Sequence, residues 1–334
     1  MKQFLDLDDL DDQRLEAVLT RARELEARGP GRELAGRIVA LLFMNPSLRT
    51  LASMQAGVAQ LGGSSFVIAP GAGSWKLEMR DGAVMDGDAA EHVREAIPIL
   101  GQYADAMAVR CFARGTDVAE DLADGVMRKM ASLSPVPFIN LESAASHPCQ
   151  ALGDWKTLDD FAVPRKGGKF VLSWAYHPKP LPYAVPASAL SMAARRGMHV
   201  TVLRPEGFAL PEEIMTRARA LAARSGGTIE ETSDRGAAME GAHVLYAKSW
   251  TAPSHYGHPE EEAKLRAPLR EWCVAESWFA GAKRDAKFMH CLPVRRNVKV
   301  TDEVLDGPRS VVVREAANRL HAQKALLVEM LGGA

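Results

Sequence analysis

Cysteine is scarce and scattered. Cys111, Cys149, Cys273 and Cys291 are the only four, and no two form a CxxC pair. That spacing argues against a disulfide framework or a zinc site and for reduced thiols, so no metal and no cofactor is expected. Long apolar runs are also missing. Nothing approaches the ~20 residues needed to cross a bilayer. The N-terminal MKQFLDLDDLDDQRLE is acidic and has no apolar h-region, which argues against a secretory signal and for a cytoplasmic protein. Neither sign of charge dominates, with 41 Lys and Arg against 42 Asp and Glu. Such a balance gives no reason to expect a nucleic-acid or membrane partner. No strand-like segment is followed by G-x-G-x-x-G; Gly71-Ala-Gly73 lacks both the third glycine and the context. A nicotinamide-dependent oxidoreductase is therefore disfavoured.

Apolar residues make up 47% and charged residues 25% of the 334 positions, enough for two globular domains with a core each. Leu10, Leu15, Val18 and Leu19 repeat at helical spacing within 8–28. Residues 37–43 form a short continuous apolar run, as a buried parallel strand does. The run ends at Asn45-Pro46-Ser47, a turn and helix cap. A helix over 48–61 then stops at Gly62-Gly63, and 64–68 reads as a second strand. The Gly-rich stretch 70–88, which holds Trp75, is long for a plain connector. Beyond it the pattern predicts a helix over 93–103, strands over 106–110 and 136–140, and an interdomain helix from just after His147-Pro148 to about 161. The second half alternates in the same way. Strands are expected at 169–175, 199–203, near Thr228, at 243–247 and at 287–290, with helices over 184–196 and 211–224. A final strand at 310–314 and a closing helix over 318–331 complete the chain. The expected class is α/β: two doubly wound parallel-sheet domains joined by interdomain helices. The first comprises 1–147 with the C-terminal helix 318–334, and the second 148–317.

Four segments could carry chemistry. Asn45-Pro-Ser-Leu-Arg-Thr50 lies where a strand becomes a helix, so free backbone N–H groups, two hydroxyls and the Arg49 fork could cradle a phosphate. An ordinary Ser cap beside a solvated Arg fits the same spacing equally well. His147-Pro-Cys-Gln150 opens a helix, and His147 and Gln150 could donate hydrogen bonds to a carbonyl oxygen or serve structure alone. No second ligand stands at metal spacing from His147. His290-Cys-Leu-Pro293 could offer backbone carbonyls to an amine. Cys291 invites a nucleophile reading, but the commoner role of a free Cys is a small buried hydrophobe. Arg319, near the start of the last helix, is either a second anion ligand or solvated surface.

Taken together, in this order and at these intervals, the motifs resemble the aspartate/ornithine carbamoyltransferase family, with its S-x-R-T, H-P-x-Q and H-C-L-P signatures. The chain looks most like the N-acetylornithine branch. The similarity rests on Phe43-Met-Asn-Pro-Ser-Leu-Arg-Thr50, Val84-Met-Asp-Gly-Asp88, Ser134-Pro-Val-Pro137, Tyr176-His-Pro-Lys-Pro180, Tyr246-Ala-Lys-Ser-Trp250, His290-Cys-Leu-Pro293 and Asn318-Arg-Leu-His321. It spans essentially the whole chain.

The resemblance implies transfer of the carbamoyl group of carbamoyl phosphate to the δ-amine of an N-acylornithine, in arginine biosynthesis. It also implies the roles of residues. Ser47, the Leu48 backbone, Arg49 and Thr50 would hold the phosphate. Arg110, His147 and Gln150 would bind and polarise the carbamoyl end, with Arg319 adding charge. Trp75 would reach into a neighbouring subunit's site in a homotrimer. Glu142, Lys248 and Leu292 would hold the acylornithine, and the carbonyls of Cys291 and Leu292 would orient its amine beside the carbamoyl phosphate. Lys299 matches the lysine that is carboxylated in the acetylornithine branch.

The chain departs from the pattern at two places. Leu51 stands where the family usually has Arg. Ala90 stands where acetylornithine enzymes carry an acidic residue, which suggests room for a longer, anionic N-succinyl group. A one-residue slip would instead put Glu91 at that place. Alternative readings are a carbamoyltransferase acting on free ornithine or aspartate, and a non-catalytic carbamoyl-phosphate-binding homologue.

Overall fold

The computed structural model describes residues 1–332, which fall into two compact units. The first contains Met1–Ala113, Glu120–Leu152 and the chain from Arg319 onward. The second contains Arg114–Ala119 and Gly153–Asn318.

In the first unit, the short β1 (Gln3–Phe4) leads to α1 (Asp12–Arg28), whose cap Asp11 accepts the Arg14 N–H. Then come β2 (Ile38–Phe43), α2 (Leu48–Gln60), β3 (Ser64–Ile68), β4 (Lys76–Glu78), β5 (Ala89–His92), α3 (Val93–Gln102) and β6 (Ala106–Arg110). The small helices α4 (Val118–Ala123) and α5 (Gly125–Leu133) precede β7 (Phe138–Glu142) and α6 (Pro148–Asp160), which passes into the second unit at Gly153. The main sheet is parallel throughout, in the order β1-β7-β6-β2-β3. Strands β2 and β6 are apolar at almost every position because both sheet faces are covered. On one face Ala40, Leu42, Met107, Val109 and Phe138 pack against Val93 and Ile97 of α3 and Met127 and Met130 of α5. Strand order reverses between β2 and β6, and a doubly wound sheet binds ligands at such a point, beyond the carboxyl ends of its strands.

The second unit repeats the plan with β8 (Lys169–Trp174), α7 (Ala184–Arg195), β9 (His199–Leu203), α8 (Glu212–Ser225), β10 (Thr228–Thr232), α9 (Arg235–Met239), β11 (Val244–Lys248), α10 (Pro259–Arg266), β12 (Lys287–Met289), α11 (Asp302–Leu305) and the start of α12 (Val312–Leu331), which belongs to the first unit from Arg319 onward. Its parallel order, β10-β9-β8-β11-β12, reverses between β8 and β11. The alternation and the parallel sheets expected from sequence are both present.

The short elements β1, β4, β5, α9, α10 and α11 were not expected, and three further segments differ from expectation. Residues 310–314 make a single bridge, Phe288 to Ser310, and then enter α12 at Val312. Their β-branched run imitates a strand, but Val313 is solvent-exposed and the helical pattern from Glu315 onward captures the segment. The strand expected at 136–140 starts two residues later, since Pro135 and Pro137 have no N–H for the ladder. The small helices α4 and α5 have no strong periodic signal. Asp124, in the left-handed conformation (φ 55°), separates them.

A buried ion pair supports the second unit. Arg266 bonds Glu262, the Ser249 hydroxyl (2.9 Å) and the Trp250 carbonyl (2.9 Å), and its guanidinium lies over the Trp174 ring. Burial raises the Glu262 carboxyl and lowers the Arg266 guanidinium, so desolvation outweighs their mutual attraction. Glu262→Ala leaves the cation buried without its counter-charge. Chemical denaturation should then show a loss of about 3 kcal/mol or more.

Candidate active site

Strand β2 delivers the chain to a tight turn in which Asn45 Oδ1 accepts the Phe112 N–H (2.8 Å). Ser47 caps α2, its hydroxyl accepting the Thr50 N–H at 3.2 Å. The first turn of α2 contains no acidic residue, so the positive end of its dipole is not neutralised locally. Arg49 forms no side-chain hydrogen bond or ion pair with the described residues. Leu48 is 80% exposed, whereas Thr50 is buried.

Arg319, on α12, brings distant segments together. Its Nη2 donates to Thr50 Oγ1 (3.2 Å), 269 positions away, and its Nη1 to Gln150 Oε1 (2.9 Å), 169 positions away. The capped start of α2 and the His147–Gln150 segment thus belong to one site in the first unit, and Arg319 is interior rather than solvated surface. Arg110, at the end of β6, donates through Nη1 to Glu142 Oε2, while His147 Nε2 lies 3.3 Å from the same oxygen. Two donors therefore converge on one acceptor point. Arg110, His147 and Gln150 are all buried.

Trp75, just before β4, is 69% exposed. Strands β4 and β5 pair Lys76 with Ala89 and Leu77 with Glu91, so the exposed Ala90 falls at a local irregularity of the ladder. Such irregularities re-aim side chains.

In the second unit, Lys248 ends β11, and its Nζ lies 3.5 Å from Cys291 Sγ. Leu292, in the turn after β12, has φ 53°. Lys299 is almost fully buried. Desolvation first, and then the neighbouring Lys248, push its amine down to about 7, with Arg266 and Arg295 acting the same way. Burial likewise brings His177 down to about 4, and its Nε2 lies 3.2 Å from Arg295 Nε. Basic side chains are thus gathered beyond β8 and β11, where this sheet reverses order. His177 and Arg266 were not singled out from the sequence, because a lone basic residue does not announce its neighbours, whereas Arg295, with Arg296, was readable there only as either an anion ligand or surface charge. Of the three residues expected to hold one substrate, Glu142 lies in the first unit and Lys248 and Leu292 in the second. Among the described residues, no group of three or more His, Cys, Asp or Glu could hold a metal ion, and no helix is long and apolar enough to cross a membrane.

Residues 2–160 match the carbamoyl-P binding domain, and residues 184–330 the Asp/Orn binding domain, of the aspartate/ornithine carbamoyltransferase family. The chain is 43% identical to an N-acetylornithine carbamoyltransferase of Xanthomonas campestris pv. campestris, covering 99% of this chain and 98% of that protein. It is 35% identical to an N-succinylornithine carbamoyltransferase of Bacteroides thetaiotaomicron, covering 100% and 99%. Among solved structures, an acetylornithine transcarbamylase complexed with acetylcitrulline superposes with a TM-score of 0.96 at 42% identity over the full length of both chains. An N-acetyl-L-ornithine transcarbamylase with a glutamate-to-alanine change, complexed with carbamyl phosphate and N-succinyl-L-norvaline, gives 0.95 at 43% identity, covering 99% of this chain and 100% of that one. Sequence, fold and the convergence of Thr50, Gln150 and Arg319 agree, and the chain belongs to the aspartate/ornithine carbamoyltransferase family, on its N-acylornithine branch.

Proposed function

We propose that this chain transfers the carbamoyl group of carbamoyl phosphate to the δ-amine of an N-acyl-L-ornithine, giving N-acyl-L-citrulline and phosphate in arginine biosynthesis. The observation that carries this reading is Arg319 joining the start of α2 to Gln150, so that a phosphate cradle and a set of carbonyl donors form one site.

Carbamoyl phosphate falls to the first unit and the acylornithine to the second. The dianion is held by Ser47, the Leu48 N–H, Arg49, Thr50 and Arg319, at the positive end of α2. Arg110 and His147, which converge here on Glu142, turn to the carbamoyl oxygen together with Gln150, and Glu142 is released to the acylornithine. Lys248 takes the α-carboxylate, and the carbonyls of Cys291 and Leu292 orient the neutral amine. That amine attacks the carbamoyl carbon, and negative charge builds on the oxygen facing Arg110, His147 and Thr50. The C–O bond to phosphate then breaks, and phosphate leaves with the proton from the amine. Holding both reactants in line supplies roughly 7–11 kcal/mol of the barrier. A colourimetric assay for ureido product with acetyl-, succinyl- and unmodified ornithine tests the assignment; turnover of free ornithine alone would defeat it.

Lys299 is the candidate carboxylysine. An amine near 7 is about half neutral at neutral pH, and the neutral form is what adds to carbon dioxide. The unmodified lysine binds its proton more weakly folded than unfolded. Its burial therefore costs stability most fully below about pH 7, and the cost fades as pH rises toward the ordinary lysine value. Protein equilibrated with ¹³C-bicarbonate should show a carbamate resonance at pH 8 that is lost on acidification below pH ~6 and is missing in Lys299→Met. An unchanged spectrum at pH 8 in that variant rules the modification out.

The exposed Trp75 fits a residue that completes the site of a neighbouring copy in a homotrimer. Sedimentation should give three times the chain mass. Mixing inactive Trp75→Ala with inactive Arg49→Ala chains should restore part of the activity, because some sites in mixed trimers are intact. No recovery in verified mixed trimers would count against a shared site.

A further inference from the structure

Below the turn that carries Cys291 and Leu292 lies a group of buried acids that the chemistry above does not use. Glu315, in the first turn of α12, is fully buried, and its Oε2 accepts the His290 backbone N–H at 2.9 Å. His290 is also fully buried, and its Nδ1 accepts the Leu292 N–H at 2.9 Å. The first bond fixes the Met289–His290 peptide unit and the second the Cys291–Leu292 unit, which bears the Cys291 carbonyl and leads into Leu292 in the left-handed region, which a leucine does not favour. Asp154 of α6, 1% exposed, neighbours both Glu315 and the hydroxyl of Tyr246 on β11. The Cys291 thiol faces the same group. Burial first, and then Asp154, raise the Glu315 carboxyl well above the usual carboxylate range. They raise the Tyr246 hydroxyl in the same way. Two adjacent carboxyls buried from solvent cannot both ionise cheaply, so a proton stays between them.

We propose that Glu315 is a positioning residue for the acceptor amine. In its protonated form it accepts from His290 and donates toward Asp154, and so keeps the Cys291 and Leu292 carbonyls in one orientation. The inference rests on the reading that these carbonyls receive the amine.

Glutamine copies the protonated acid, with one acceptor and one donor at the same places, whereas alanine removes both. Three readouts test the role: kcat and KM for the acylornithine, calorimetric Kd for carbamoyl phosphate, and the melting temperature. Glu315→Gln should stay within about threefold of wild type in kcat/KM for the amine. Glu315→Ala should lose about 30- to 100-fold in that ratio, because a shift of about 1 Å in a reacting group costs that much. Its affinity for carbamoyl phosphate should not change. The proposal is overturned if the glutamine variant falls as far as the alanine one, since the ionised carboxylate would then be the working form. It is also overturned if Glu315→Ala loses melting temperature and keeps the wild-type ratio. Should Glu315→Ala fail to fold, the glutamine variant decides alone, near-wild-type rates supporting the role and a large loss ending it. Wild-type protein that turns over no N-acylornithine defeats the acceptor assignment and this inference together. Wild-type turnover with an unaffected alanine variant defeats this inference alone.

Discussion

His147→Ala is expected to lower kcat by about 10²–10³-fold while leaving the fold intact, as loss of one donor to a developing oxyanion costs roughly 3–4 kcal/mol. His147 is buried beside the start of α6, with Nε2 3.3 Å from the Glu142 oxygen that Arg110 also reaches. Alanine removes the donor but leaves Glu142 paired with Arg110, so no buried charge is stranded and the melting temperature should change little. The loss should fall mainly on kcat, because the phosphate end of the ligand keeps all its contacts. Arg49→Ala is the complementary variant. Arg49 has no structural partner among the described residues, so its loss should leave stability unchanged and cut kcat/KM for carbamoyl phosphate at least a hundredfold. Near-wild-type rates in either variant, measured by ureido product formation, would count heavily against the mechanism.

Ala90→Glu should lower kcat/KM for N-succinylornithine by about 30- to 100-fold and leave N-acetylornithine within a few-fold. A second carboxylate facing the succinyl carboxylate adds like-charge repulsion of several kcal/mol before solvent screening. Two observations motivate the test. The residue lies exposed at an irregularity of the β4–β5 ladder, so the longer side chain meets no packing in its own unit. Among the solved structures, a glutamate-to-alanine form of an N-acetyl-L-ornithine transcarbamylase contains N-succinyl-L-norvaline. Glu91→Ala is the control. If Glu91 takes the acidic place instead, wild type prefers the acetyl compound and the Glu91 variant, not the Ala90 one, changes the preference. Strict acetyl specificity in wild type would end the succinyl hypothesis.

Local rules reached far along this chain. Caps, apolar runs and glycine stops act within about one helical turn, so β2, the Ser47 cap, α2 and the parallel alternation were readable from residues a few positions apart. The same rules misread 310–314, where three valines look like a strand until the helix beyond them is counted. The motif set was enough to indicate the family.

What sequence could not decide is which strand ends lie side by side. Sheet order puts the end of β2 next to that of β6, and the fold brings Arg319 to Thr50 across 269 positions, turning a helix-start arginine into part of a site. Tertiary packing also turned Glu142 toward Arg110 and His147, buried Lys299 deeply enough to bring its amine near neutrality, and enclosed Glu315 beside Asp154. The reason is that burial and neighbouring charge set the behaviour of an ionisable group, and both come from segments distant in the chain.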